Sequence, residues 1–157
     1  MTRTFRTAGL ALVTLAAFAL AALPARVGRS DDAKPSAKPS PLDGAWKQVE
    51  SKNGPAQEYQ KLPDGVEMIN HVTGGRFVWT IVKDGKLAAA AGGKCSVDKD
   101  KYTEVIEFVH GPGVPQSFVG STFEFTWKLD GGTWHKVGTI KVNDQDYKID
   151  EKWERCM

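Results

Sequence analysis

Little in this chain suggests metal or nucleophile chemistry. It carries two cysteines and three histidines in 157 residues, and no Cys-x-x-Cys, His-x-His or His-x-x-x-His spacing occurs. No local ligand set for zinc or a similar ion is therefore encoded. A Gly-x-Ser-x-Gly elbow is missing too, which removes the usual signal for a serine raised on a strand-to-helix turn. Phosphate loops are also lacking, because Gly74-Gly75, Gly92-Gly93 and Gly131-Gly132 read as turn or bulge glycines. No amphipathic helix pattern of useful length appears in the body of the chain. Charge of neither sign dominates: 21 Lys and Arg stand against 19 Asp and Glu overall, and from Leu42 onward 15 stand against 17. The small basic excess thus belongs to the N-terminal stretch, and nothing in the charge suggests a basic nucleic-acid surface.

That stretch has its own character. Arg3 and Arg6 precede an apolar run from Leu10 to Leu23, which Leu23-Pro24-Ala25 closes with a small residue before Arg26. This order is that of a signal peptide over residues 1–25 with cleavage after Ala25, so export to the periplasm or beyond is expected. The alternative is an uncleaved anchor, but a spanning helix needs roughly 20 apolar residues and the run is shorter. Neither a twin-Arg pair nor a following Cys points to the Tat route or a lipoprotein. Residues 26–41, rich in Lys, Ser and Pro, read as a flexible tether. Residues 42–157 then suit one domain with one core.

The domain reads as all-β. Thr122–Leu129 alternates so that Phe123, Phe125, Trp127 and Leu129 share a face. Asp130-Gly131-Gly132 turns the chain into a returning strand over 133–140. Upstream, Arg76–Val82 places Phe77, Trp79 and Ile81 on one face, and Gly74-Gly75 joins it to Val66–Thr73. Strands over 86–97, 102–110 and 151–156, with one at Trp46, bring the total to about eight. Short, even connections favour an up-and-down antiparallel barrel over a Greek-key sandwich. Closure would also bring the first and last strands together and leave no open edge.

Gly44-Ala45-Trp46 resembles the Gly-x-Trp signature that opens the first strand of lipocalins and other calycin barrels. The ordered segments His71–Trp79, Ala91–Val97, Lys101–Glu104, Gly132–His135 and Glu151–Arg155 extend the likeness. Together they resemble small secreted bacterial lipocalin-like domains, most of which have no assigned function. The resemblance implies fold more than activity. It departs from the large lipocalins in lacking their C-terminal helix pattern and in placing a cysteine at position 95. In the lipocalin pattern, the Trp of the signature seals the barrel floor beneath a basic side chain from the last strand. Gly44, Trp46 and Arg155 are the residues implied here, with Lys152 as the second choice for the cation. A guanidinium over an indole contributes about 0.5 to 2 kcal/mol.

Cys95 and Cys156 are an even pair in a chain expected to be exported, which favours a disulfide; two free thiols are the alternative. Catalysis would rest on Glu104 or Glu107 with Tyr102 and the histidines 71, 110 and 135, since a carboxyl inside an apolar cup can serve as acid or base. A haem-binding variant would use His71 or His135 as axial ligand. Neither requirement is encoded as a motif, so no cofactor is expected. An eight-stranded barrel is either filled by side chains or holds one small ligand. The small-residue run Ala88–Gly93 leaves room on one wall, whereas the aromatics fill it. Binding of a small apolar or aromatic molecule is the leading expectation, with Trp79, Tyr102, Glu104, Phe123, Phe125, Trp127 and His135 as candidate contacts. A filled barrel acting as a structural or protein-interaction module of the cell envelope is the alternative.

Overall fold

The computed structural model describes residues 39–157. The expected signal segment and nearly all of the expected tether lie outside the described residues. Eight strands follow one another in order: β1 (Gly44–Ser51), β2 (Val66–Thr73), β3 (Arg76–Lys83), β4 (Lys86–Asp98), β5 (Lys101–His110), β6 (Thr122–Asp130), β7 (Thr133–Val142) and β8 (Gln145–Arg155). Each pairs antiparallel with the next, and β8 returns to β1, closing an up-and-down barrel. The sandwich alternative falls with that closure, since a sandwich keeps two separate sheets. The last strand starts earlier than its apolar pattern suggests. Gln145–Lys148 is polar and exposed, yet its backbone pairs with β7 through a tight turn in which Asn143 and Asp144 both adopt positive φ.

Alternation fills the interior in layers, because inward side chains recur every second residue. On β7 the inward series runs Trp134, Lys136, Gly138, Ile140; on β8 it runs Trp153, Glu151, Ile149; on β5 it runs Tyr102, Glu104, Ile106. The lowest layer is aromatic. Trp46, Trp134, Trp153 and Tyr102 are fully buried, and Trp134 meets Trp46 and Tyr102 edge-on at centroid distances of 5.6 and 5.3 Å and stacks on Trp153 at 5.8 Å. Such pairs add about 0.5 to 1.5 kcal/mol each beyond burial. This end of the barrel is sealed.

The seal is completed by the segment ahead of β1. Leu42 is fully buried, and its carbonyl accepts a 2.7 Å hydrogen bond from Trp46 Nε1. The Arg155 guanidinium lies 4.3 Å from the Trp46 ring centroid and donates to the carbonyls of Asp43 (2.8 Å) and Pro41 (2.9 Å). Pro41, read from sequence as tether, is thus tied by its carbonyl to the last strand. Gly44 holds a φ of 139°, and a Cβ there would stand 2.5 Å from Arg155 Nη1. Lys152 takes a different place: its ammonium sits 3.7 Å from the Tyr59 ring centroid and 3.0 Å from Glu50 Oε2.

Strict alternation along β5 would put Phe108 on the inward face with Tyr102, Glu104 and Ile106, but it does not continue that face. The pairing slips from Gly93↔Ile106 to Gly92↔Phe108, a bulge that reverses the parity beyond it. Phe108 consequently lies outside over Gly92, where a Cβ would meet its ring. Contrary to the expected disulfide, the cysteines are not bonded. Cys95 lies on β4, and Cys156 follows β8, which is half a barrel away in strand order.

Candidate functional site

Above the aromatic floor the same alternation puts charge inside the barrel. Lys136 (4% exposed) pairs directly across the β7–β8 ladder with Glu151 (5%), while Glu104 (3%) reaches the same level from β5 and Gln48 (4%) from β1. Lys136 Nζ is 3.0 Å from Glu151 Oε2 and 3.8 Å from Glu104 Oε1. The ammonium also lies 4.8 Å from the Phe125 ring centroid and 5.5 Å from that of Trp153. These rings replace part of the hydration that burial removes.

The layer is incompletely satisfied. Gln48 Nε2, Glu104 Oε1 and Glu151 Oε2 have no hydrogen-bond partner within the protein. At 3.0 Å the Lys136–Glu151 contact is an ion pair. The other oxygen of Glu151 accepts a 3.1 Å bond from Asn53 Nδ2. Burial pushes the Glu104 carboxyl above its usual range, with Lys136 pulling it back and Glu151 pushing it further up. Burial opposes the charge on Lys136 as well, yet Glu104 and Glu151 together hold the ammonium above its ordinary value. Tyr102, directly beneath, is pushed well up by burial and then by Glu104. Unpartnered buried polar atoms are rare in native proteins because each costs about 1 to 3 kcal/mol.

These groups form the base of a cavity of about 500 Å³. Its walls are apolar, with Met68, Trp79 and Ile81 on one side and Ile106, Phe123 and Phe125 on the other. The run of small residues in β4 makes the space: Ala91 contributes only a methyl group to the wall. At Gly93 a Cβ would overlap the Val105 carbonyl oxygen. The mouth is flanked by the β1–β2 loop, whose Asn53, Ala56, Gln60 and Leu62 line the opening, and by Phe118 from a 3-10 turn at Gln116–Phe118. The loop is fastened to β8. Asn53 Oδ1 accepts from Asp150 N at 2.8 Å, Tyr59 Oη donates to Asp150 Oδ1 at 2.6 Å, and Gly54 N donates to Lys148 O at 2.8 Å.

Of the residues expected to contact a ligand, Trp79, Glu104, Phe123 and Phe125 line this cavity. Tyr102 and Trp127 do not. Tyr102 belongs to the floor, and Trp127 packs at the floor end, where its backbone N–H bonds to Asp100 in the β4–β5 turn. His135 faces away from the cavity and borders a groove on the outer surface with Lys47, Lys152 and Glu154. Parity decides this, since its neighbours Trp134 and Lys136 both point inward. His71 is outward for the same reason, between Asn70 and Val72. Neither histidine can therefore serve as an axial ligand inside the barrel, which removes the haem reading as it was framed. Glu107 lies on the outer surface in an ion pair with Arg76, leaving Glu104 as the sole interior member of the proposed catalytic carboxyls.

Gln48, Lys136 and Glu151 are the polar residues at the cavity base that sequence reasoning passed over. The available signal was parity: each stands two residues from a buried tryptophan, Trp46, Trp134 or Trp153. No protein-family model matches the chain and no curated protein matches it.

Proposed function

We propose that this protein is an exported barrel that binds one small, largely apolar or aromatic molecule in its interior. The observation that carries the reading is the cavity of about 500 Å³ with apolar walls and unpartnered, buried polar atoms at its base. Ligand pockets are typically about 300 to 1,000 Å³, mainly apolar, with a few convergent polar groups. A barrel filled by its own side chains would leave no such volume, so the alternative of a structural or protein-interaction module has less support. The signal-like N-terminus supports action in the periplasm or outside the cell.

Calorimetric titration with a panel of small aromatic and aliphatic compounds tests the binding reading. At least one class is expected to bind with 1:1 stoichiometry. Ala91→Phe, which fills the cavity from β4, should abolish that heat while circular dichroism remains that of a barrel. A panel with no binder, or binding unaffected by the filled cavity, would refute it. Export is tested separately: fractionation should place the mature chain outside the cytoplasm with Arg26 at its N-terminus.

A further inference from the structure

We infer that the molecule held in the barrel carries a protonated amine head, seated against Glu104 and Glu151, on its apolar or aromatic body. The inference rests on the cavity reading and names the chemistry of its occupant.

The buried layer holds two carboxyl groups and one ammonium. Lys136 is the only cationic side chain among the described residues lining the cavity, and its closest contact is with Glu151 at 3.0 Å, leaving Glu104 at 3.8 Å. One carboxyl is therefore in excess in a region shielded from water. Ionising Glu104 there without a second cation is costly, and a ligand cation would match the charge.

The Glu104 carboxyl agrees with this. Its Oε1 belongs to a side chain more than nine-tenths buried, lines the cavity and has no hydrogen-bond partner, the Lys136 ammonium standing 3.8 Å away. A carboxylate accepts but does not donate. An ammonium supplies three donors, enough for both carboxyl groups. An alcohol supplies one donor and leaves the excess charge unmatched. An anionic head would be attracted by Lys136 but repelled by two carboxylates. The walls suit a cationic head on an apolar body as well, because Trp79, Phe123 and Phe125 line the cavity and the Phe125 ring already lies 4.8 Å from the Lys136 ammonium.

The test uses matched compounds that differ only at the head: tryptamine, tryptophol and indole-3-propionate, and the phenyl series 2-phenylethylamine, 2-phenylethanol and 3-phenylpropionate. Each is titrated into the mature protein by calorimetry at neutral pH. The amine of at least one series should bind about tenfold or more tightly than its alcohol, with the acid weakest. In Glu104→Gln that amine preference should collapse; Glu151→Gln is the second variant, for use if the first has lost the barrel's circular dichroism. Alcohol or acid binding as tightly as the amine, or an amine preference unchanged in the variants, would overturn the head-group inference while leaving the cavity reading intact. Failure of every compound in both series would overturn the inference, and failure of the broader panel too would overturn the cavity reading with it.

Discussion

Lys136 and Glu151 face one another across the β7–β8 ladder, with Nζ and Oε2 3.0 Å apart and side chains only 5% and 6% exposed. Removing the lysine strands two carboxyl groups among aromatic rings. Breaking a buried pair from one side costs about 3 to 5 kcal/mol, whereas replacing all partners with neutral groups can cost little. Lys136→Met should thus lower the urea midpoint severely, and adding Glu104→Gln with Glu151→Gln should recover most of the loss. A single variant as stable as the wild type would show that the pair contributes nothing.

Glu104 should leave a signature in the pH dependence of stability. Its folded-state carboxyl titrates above the ordinary value of 4.5, with burial the main cause. Lys136 from β7, Glu151 from β8, Tyr102 on its own strand and Cys95 from β4 are the ionisable groups around it. Where the unfolded chain has lost this proton and the native state keeps it, the native state binds more protons, so stability falls as pH rises. This contribution is fully present below 4.5 and is lost as pH climbs through the folded value. Denaturant unfolding between about pH 4 and pH 8 should show wild type losing stability relative to Glu104→Gln, with a slope of at most about 1.4 kcal/mol per unit. A difference that is flat or rises with pH would contradict the burial argument.

Gly44→Ala should destabilise the barrel by about 1 to 3 kcal/mol, since it combines a positive φ with a methyl group against Arg155. Arg155→Lys keeps the charge but loses the planar fork that spans Pro41, Asp43 and the Trp46 ring. A loss of about 1 kcal/mol is expected in thermal or urea unfolding. The double variant should lose less than the sum of the two, because the clash disappears with the shorter side chain.

The two thiols should react at different rates. Cys95 is half-buried, and burial pushes its thiol up to about 11 despite an opposing contribution from Tyr102. Cys156 is exposed at the chain end. Because the thiolate is the reacting form, an alkylating reagent at neutral pH should label Cys156 first and Cys95 mainly after unfolding. Mass spectrometry of the non-reduced native protein should find both free, and an intramolecular bond would contradict the fold described.

Strand existence was legible from period two and glycine turns, and the floor from the Gly-x-Trp resemblance and Arg155. Parity was legible only as far as the first bulge. At Gly93 and Ile106 the pairing slips because β4 and β5 match two residues against one, a property of the pair that neither strand's sequence displays alone, so Phe108 reads as inward. Beyond Glu104, the polar layer stayed hidden because Lys and Glu are seldom buried. Their position inside follows from Trp134 and Trp153 two residues away. His135 illustrates the reverse: its chemistry attracts notice, but it alternates with Trp134 and Lys136 and must face outward. The β1–β2 loop has no apolar period, and its hold on β8 depends on side-chain bonds from Asn53 and Tyr59 that pattern reading does not detect.

The distribution of indoles between the two ends has a practical consequence. Of five tryptophans, Trp46, Trp134 and Trp153 are sealed in the floor, Trp127 packs beside the β4–β5 turn, and Trp79 alone stands in the cavity wall. The protein therefore carries two optical reporters in one spectrum. Emission from the buried indoles follows the integrity of the barrel, and the part lost in Trp79→Phe follows its occupancy. A ligand that fills the cavity should perturb only a minor share of the total light, so a weak overall change in emission is compatible with a saturated site.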